Sequence, residues 1–385
     1  MINSPFIYGS TVSNQAFTDR EAETKKLKSN LTGGINTIII SPRRWGKSSL
    51  VEKVAEEIRS SDLPIKVAII DLFMTGNQPE FLESFARQVI KATSTKWEDW
   101  VRNAKSLFRQ IIPKIQISAD PGNEFSLSFD WDELKKFSDE ILELPETIAK
   151  EKNIRIIICI DEFQNLAHFP EFLTLEKKMR AIWQRHKSAT YCIYGSKRHM
   201  MTNIFNNPSK PFYRFGDLIL LQKIQEENWI PFICDGFVNS GKQINTENAK
   251  LIANLMQNHP WYIQQLAHYT WNLTQEKATK TEIQSALTEL INANGPLYQS
   301  EVENLSQTLF NLLKAVAAGE TQFSANRVMQ NFNLGTPRNA MKNKAILINN
   351  DIIQQAEGHF EFIDPAFEIW FRLNFMNKPL SKYFD

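Results

Sequence analysis

The chain has 385 residues, room for two or three domains with a core in each. Its 44 lysines and arginines nearly cancel 43 aspartates and glutamates, so no global charge points to nucleic acid or to a membrane surface. Three cysteines and six histidines fall at no metal-ligand spacing, and no apolar run approaches the roughly 20 residues that would span a bilayer. The opening stretch MINSPFIYGSTVSNQ has neither the charged nor the apolar region of a signal peptide. Cys159 and Cys192 sit inside apolar, strand-like runs and read as reduced core residues. The expectation is a soluble, cytoplasmic protein.

From residue 36 to about 223, short apolar runs alternate with helical patterns, as in a parallel sheet flanked by helices. Strands are expected at 37–41, 66–72, 155–161, 190–195 and 217–221, all without clean alternation and so covered on both faces. The first ends in SPRRWGKSSL, residues 41–50. Gly-x4-Gly-Lys-Ser/Thr between a strand and a helix is a phosphate-binding pattern, and only Ser41 departs from it, standing where glycine is usual. Gly46 lets the backbone approach a phosphate, Lys47 supplies charge, and the Ser48 hydroxyl can ligate magnesium. Ser41, Pro42, Arg43, Arg44, Trp45 and Ser49 complete the candidate loop, whose following helix points its amide-rich end at the same spot. The alternative is a plain basic turn between strand and helix.

Within the second crossover, KIQIS-ADPGNE-FSLSF alternates about a Pro-Gly turn and reads as a β-hairpin at 114–129. It is either a decoration at the sheet edge or a contact for a partner protein. The strand IIICID then ends in Asp161 and Glu162. An aspartate there can hold a metal's water shell, and a glutamate beside it can polarise a water. Residues 224–293 carry no clear strand: Thr246 can cap a helix bearing Ala249, Ile252, Ala253 and Met256, and a second helix begins at Pro260. In 294–385, Leu309, Leu312, Leu313 and Val316 mark a helix, Ser324 caps another, and Thr336 with Pro337 opens a third. The hairpin-like DIIQQ-AEG-HFEFI follows, and three helices with a hairpin make a winged helix.

FTDREAE, SPRRWGKSSL, CIDEFQNL, YCIYGSKRHMM, NHPWYIQQLA and FIDPAFEIWFR occur in an order that resembles the archaeal-type ATPases. Those belong to the signal-transducing ATPases with numerous domains, relatives of the AAA+ proteins. The resemblance spans nearly the whole chain. It implies an α/β P-loop NTPase core with a five-stranded parallel sheet over 1–223, a helical lid over 224–293 and a winged-helix domain over 294–385. It further implies ATP or ADP with Mg2+ as ligands and a slow, switch-like ATPase activity. Phe17 and Arg20 match the segment near the adenine and ribose, Ser196 the polar sensor of the γ-phosphate, and Pro260 the lid proline that touches the base. Lys47, Ser48, Asp161 and Glu162 take the phosphate, metal and water-activating roles already read from their chemistry.

Other positions stay open. Arg43 and Arg44 either add charge near the phosphates or face solvent and pair elsewhere, Trp45 packs against the first helix rather than stacking on a base, and Gln164 either orients water or caps its loop. Arg180, Arg185, Lys197 and Arg198 lie where an arginine finger could stand, and a charged helix face explains Arg180 and Arg185 equally well. Arg338, Lys342 and Lys344 on the third helix of the winged helix suit a DNA groove. Yet the segment 295–385 holds at least as many acids as bases, and a phosphate-gripping domain is normally more basic. DNA is therefore the alternative partner, as in origin-recognition proteins, and an unidentified protein reached through the winged helix or the hairpin is preferred. No membrane partner is expected.

Overall fold

A computed structural model describes residues 3–9, 18–94, 116–119, 125–128, 137–356 and 358–384. The chain divides into two compact units: Arg20–Arg43 with Lys47–Leu221, and Met1–Asp19 with Arg44–Gly46 and Gln222–Asp385.

The first unit is built on strands β1 (Thr37–Ile40), β2 (Ile65–Asp71), β5 (Arg155–Asp161), β6 (Ala189–Gly195) and β7 (Asp217–Leu220), joined in one sheet of order β2-β5-β6-β1-β7. Every pairing in it is parallel. Every residue of β1 and β6 is buried, which explains their unbroken apolar character: helices cover both faces, so alternation has no use. The expected strands are all present, shifted by a residue or less at their ends. Helix α1 (Glu21–Gly33) precedes the first strand, and α2 (Lys47–Arg59), α3 (Gln78–Thr93), α4 (Ser138–Lys152), α5 (Phe172–Trp183) and α6 (Arg198–Asn206) lie between the strands. In α2 the anticipated stripe of Leu50, Val51, Val54 and Ala55 is buried. The hairpin expected at 114–129 has its strands at β3 (Gln116–Ala119) and β4 (Phe125–Ser128), antiparallel and separate from the main sheet. Its turn lies outside the described residues.

The strand order puts the carboxyl ends of β5, β6 and β1 side by side, with Ile40 opposite Gly195 and Cys159 opposite Cys192. Ligands of open α/β sheets bind in the crevice beyond such ends. All three cysteines are free thiols.

The second unit is mostly helical, with α7 (Glu226–Asn239), α8 (Thr246–Leu255), α9 (Pro260–Leu273), α10 (Lys280–Glu303), α11 (Gln307–Ala317), α12 (Asn326–Asn331), α13 (Pro337–Asn349) and α14 (Pro365–Phe375). The two-residue strands β8 (Gln243–Ile244) and β9 (Lys277–Ala278) pair in parallel. The antiparallel strands β10 (Ile353–Ala356) and β11 (His359–Phe362) fall between the last two helices. One core runs through the unit, from Trp229 and Ile263 to Leu312, Phe362 and Phe371. Three sequence expectations change here. The β8–β9 pair lies inside the stretch read as strand-free. Asn245, not Thr246, caps α8, its side chain accepting from the Asn248 amide. Both types cap well, and asparagine ranks above threonine. Ser324 does not cap α12; Ala325 takes that place with no side-chain bond, because the turn is closed by the backbone, Ala325 N donating to Gln322 O. Thr336 and Pro337 open α13 as expected, with the Thr336 hydroxyl accepting from Asn339 N. Among the described residues no helix is long and apolar enough to cross a membrane.

Candidate nucleotide site

The segment 41–46 leaves β1 and turns into α2 through two left-handed residues, Arg44 (φ 65°) and Gly46 (φ 86°). Gly46 has open space where a Cβ would stand, so its backbone and not a close neighbour explains the glycine. Ser41 is fully buried and takes no positive φ. The usual glycine at that position is therefore not needed for backbone freedom, and its hydroxyl donates to the Pro42 carbonyl at 3.1 Å.

Lys47 opens α2 and reaches across to the end of β5. Its Nζ lies 2.8 Å from Glu162 Oε1 and 3.6 Å from Asp161 Oδ1. The Ser48 hydroxyl donates to Asp161 Oδ2 at 2.7 Å, and the Glu162 amide donates to Asp161 Oδ1 at 2.7 Å. From the end of β6, the Ser196 hydroxyl donates to Glu162 Oε2 at 2.8 Å, and Gln164 Nε2 donates to the same oxygen. Residues far apart along the chain thus meet at the carboxyl ends of the three inner strands. Burial pushes the Asp161 carboxyl up from its ordinary range against the pull of Lys47 and Ser48. Burial acts on Glu162 as well, but Lys47, together with hydrogen bonds from Lys47, Gln164 and Ser196, holds that carboxyl below the usual range. Glu162 is itself left-handed, at φ 51° and ψ 39°. Such a backbone costs about 1–3 kcal/mol at a residue with a Cβ and persists where its surroundings fix it.

In the second unit, Arg44 donates to the Tyr262 hydroxyl at 3.1 Å, and its guanidinium stands 4.8 Å from the centre of the Trp261 ring. Tyr262 donates in turn to Asp364. Asp364 caps α14 through the Phe367 amide at 2.8 Å, and the Tyr298 hydroxyl approaches it at 3.4 Å. Burial pushes the Asp364 carboxyl up while Tyr262, the capped amides and Arg44 oppose it. Trp45 is buried and meets His259 edge-on with centroids 6.2 Å apart. His259 is 3% exposed and its Nδ1 has no partner among the described residues. Burial, then the charges of Arg44 and Lys223, push its pKa down to about 3.

The structure therefore brings Lys47, Ser48, Asp161, Glu162 and Ser196 together. It places Arg44 and Trp45 against residues 259–262, giving Arg44 a partner that sequence left open. Arg20 is buried and pairs with Glu23 at 2.7 Å. Pro260 stands at the first turn of α9, and Phe17 lies outside the described residues. Sequence reading gave Gln164 no firm role and passed over His259, Tyr262 and Asp364, although these three lie inside the motifs NHPWYIQQLA and FIDPAFEIWFR. Ser48 and Asp161 form a hydroxyl–carboxylate pair of hard oxygens. Among the described residues no three His, Cys, Asp or Glu side chains gather as a metal cage. The Ser48–Asp161 pair suits Mg2+, which keeps water and phosphate oxygens in most of its coordination positions.

A parallel five-stranded sheet, a Gly-Lys-Ser turn after β1 and an Asp-Glu pair at the end of β5, one strand removed from it, are the parts of a P-loop ATPase. The profile of a family described as ATPase domains predominantly from Archaea matches residues 17–266, and the chain belongs to that family. Among solved structures it is similar to the Walker-type ATPase PABY2304 of Pyrococcus abyssi, at 16% identity and TM-score 0.67, with 95% of this chain and 99% of that one covered. It is also similar to the ORC2 protein of Aeropyrum pernix, solved as ADPNP–ADP complexes, at 14% identity and TM-score 0.57 over 99% and 94% of the two chains. At these identities the likeness concerns the fold. No curated protein matches the chain.

Proposed function

We propose that this ATPase is a nucleotide-dependent switch of the signal-transducing class, binding ATP with magnesium and hydrolysing it slowly. The observation that carries the reading is the Lys47 ammonium held between Asp161 and Glu162, with Ser48 on the first acid and Ser196 on the second. Loop amides of 41–49 and the Lys47 charge receive the phosphates. Ser48 and Asp161 would hold magnesium, which neutralises phosphate charge when bound. Glu162 polarises the attacking water and Ser196 reports the γ-phosphate. Slow turnover is supported by the engagement of both Glu162 oxygens: Lys47 must leave before Oε1 can take a proton from water. Residues 224–293 serve as the lid, with Pro260 toward the base, and 294–385 as a winged helix. The succession α11, α12, α13 and the β10–β11 pair supports the latter. The test is steady-state ATP hydrolysis by wild type and Glu162→Gln alongside ATP binding. Turnover should fall by about 100- to 10,000-fold with binding kept, and equal rates would overturn the assignment.

A second reading, DNA binding, is favoured by Arg338 and Lys342, exposed on a helix without acids. Submicromolar DNA affinity that falls steeply with salt would raise it above the first. Alanine substitution of a phosphate-neutralising lysine or arginine should then flatten the salt slope by about 0.9. We expect little DNA affinity at physiological salt.

A further inference from the structure

Gln164 is 1% exposed and stands two residues after Glu162. Its Nε2 donates to Glu162 Oε2, while its Oε1 is buried with no partner among the described residues. Behind the amide stands Gly195, where an added Cβ would lie 2.0 Å from Gln164 Oε1. Gly195 has no positive φ, so its lack of a side chain matters for space and not for backbone freedom. A carboxylate accepts and cannot donate, so the amide must turn its NH2 to Glu162 and its oxygen to the glycine. Ser196, next along the chain from Gly195, donates to the same Oε2. Among the described residues Lys47 alone takes Oε1. The Glu162 backbone is held as well, its amide on Asp161 Oδ1 and its carbonyl accepting from Asn165 N at 2.9 Å.

We propose that Gln164 is a positioning residue for the water-activating carboxylate: with Ser196 it anchors Oε2 of Glu162, so that Oε1 alone is freed when Lys47 turns to phosphate. The inference rests on the ATPase reading above. It assigns the two carboxylate oxygens different tasks, one structural and one for the proton of water. A glutamate lacking the amide could rotate and follow Lys47, carrying both oxygens away from the line of attack. Misplacement by about 1 Å costs on the order of 100-fold in rate.

The test uses the full chain with Gln164→Met, which keeps length and removes the amide, and Gln164→Asn, which keeps the amide and withdraws it. Both should lose kcat by about 100-fold with KM and binding of a non-hydrolysable ATP analogue unchanged. Gln164→Met added to Glu162→Gln should cost nothing further, because residues acting as one unit are not additive. A merely structural role would lower analogue binding and would slow the double variant too. Wild-type kcat in either Gln164 variant while Glu162→Gln is inactive would overturn the positioning role and leave the ATPase reading intact. Wild-type turnover by Glu162→Gln would overturn both. Should Gln164→Met fail to bind the analogue, Gln164→Asn decides by the same readouts.

Discussion

His259 makes the stability of the second unit depend on pH in a calculable way. Its imidazole is buried beside Trp45 and repelled by Arg44 and Lys223, with a pKa pushed down to about 3 from an ordinary 6.5. The unfolded chain therefore takes up a proton below about pH 6.5 that the folded chain refuses. Stability from this group is complete above 6.5 and is lost as the pH falls from there toward 3. At pH 5 the unfolded imidazole is about 1.5 units below its pKa, and each unit is worth about 1.4 kcal/mol. The loss between pH 7 and pH 5 is thus about 2 kcal/mol from His259 alone. His259→Gln keeps a neutral polar side chain and removes the titration. Urea unfolding of the full chain followed by tryptophan fluorescence at pH 7, 6 and 5 measures both proteins. The variant should lose about 2 kcal/mol less than wild type over that range. Equal losses would refute the reasoning, since every other titrating group is common to the two proteins.

Two further outcomes are expected. ATP with magnesium, at about 100 times its dissociation constant, should stabilise wild type by roughly 2.7 kcal/mol in thermal unfolding. Lys47→Ala should lose most of that gain, and an equal shift in both would remove Lys47 from the phosphate site. Asp364→Ala should cost at least about 2 kcal/mol, combining a lost helix cap with hydroxyls left unpaired at Tyr262 and Tyr298. An unchanged unfolding midpoint would mean that these hydroxyls find other partners.

The strands and the phosphate loop were legible because each is written in consecutive residues: a β-branched run marks β1, and Gly-Lys-Ser follows it directly. The Asp161–Glu162 pair could be read for the same reason. What sequence left open depends on neighbours far along the chain. Gln164 gains a meaning only when Gly195 stands behind it, and Arg44 only when Trp261 and Tyr262 arrive to meet its guanidinium. His259 looked like the residue before a helix-opening proline, and its burial is a property of packing. The β8–β9 pair is too short to leave a periodic trace. The cap of α8 was missed by one residue because Asn245 and Thr246 are both competent and only the turn geometry chooses.

The partners of Arg44 bear on how this enzyme can be divided. A fragment of residues 20–221 retains the whole sheet and every side chain bonded to Glu162. It discards Trp261, Tyr262 and His259, and with them the surroundings of Arg44 and Trp45. Trp45, 5% exposed in the intact chain, would lose the ring that it meets edge-on. Exchanging Arg44 for a residue without its guanidinium would therefore remove a side-chain bond made with a residue more than two hundred positions downstream.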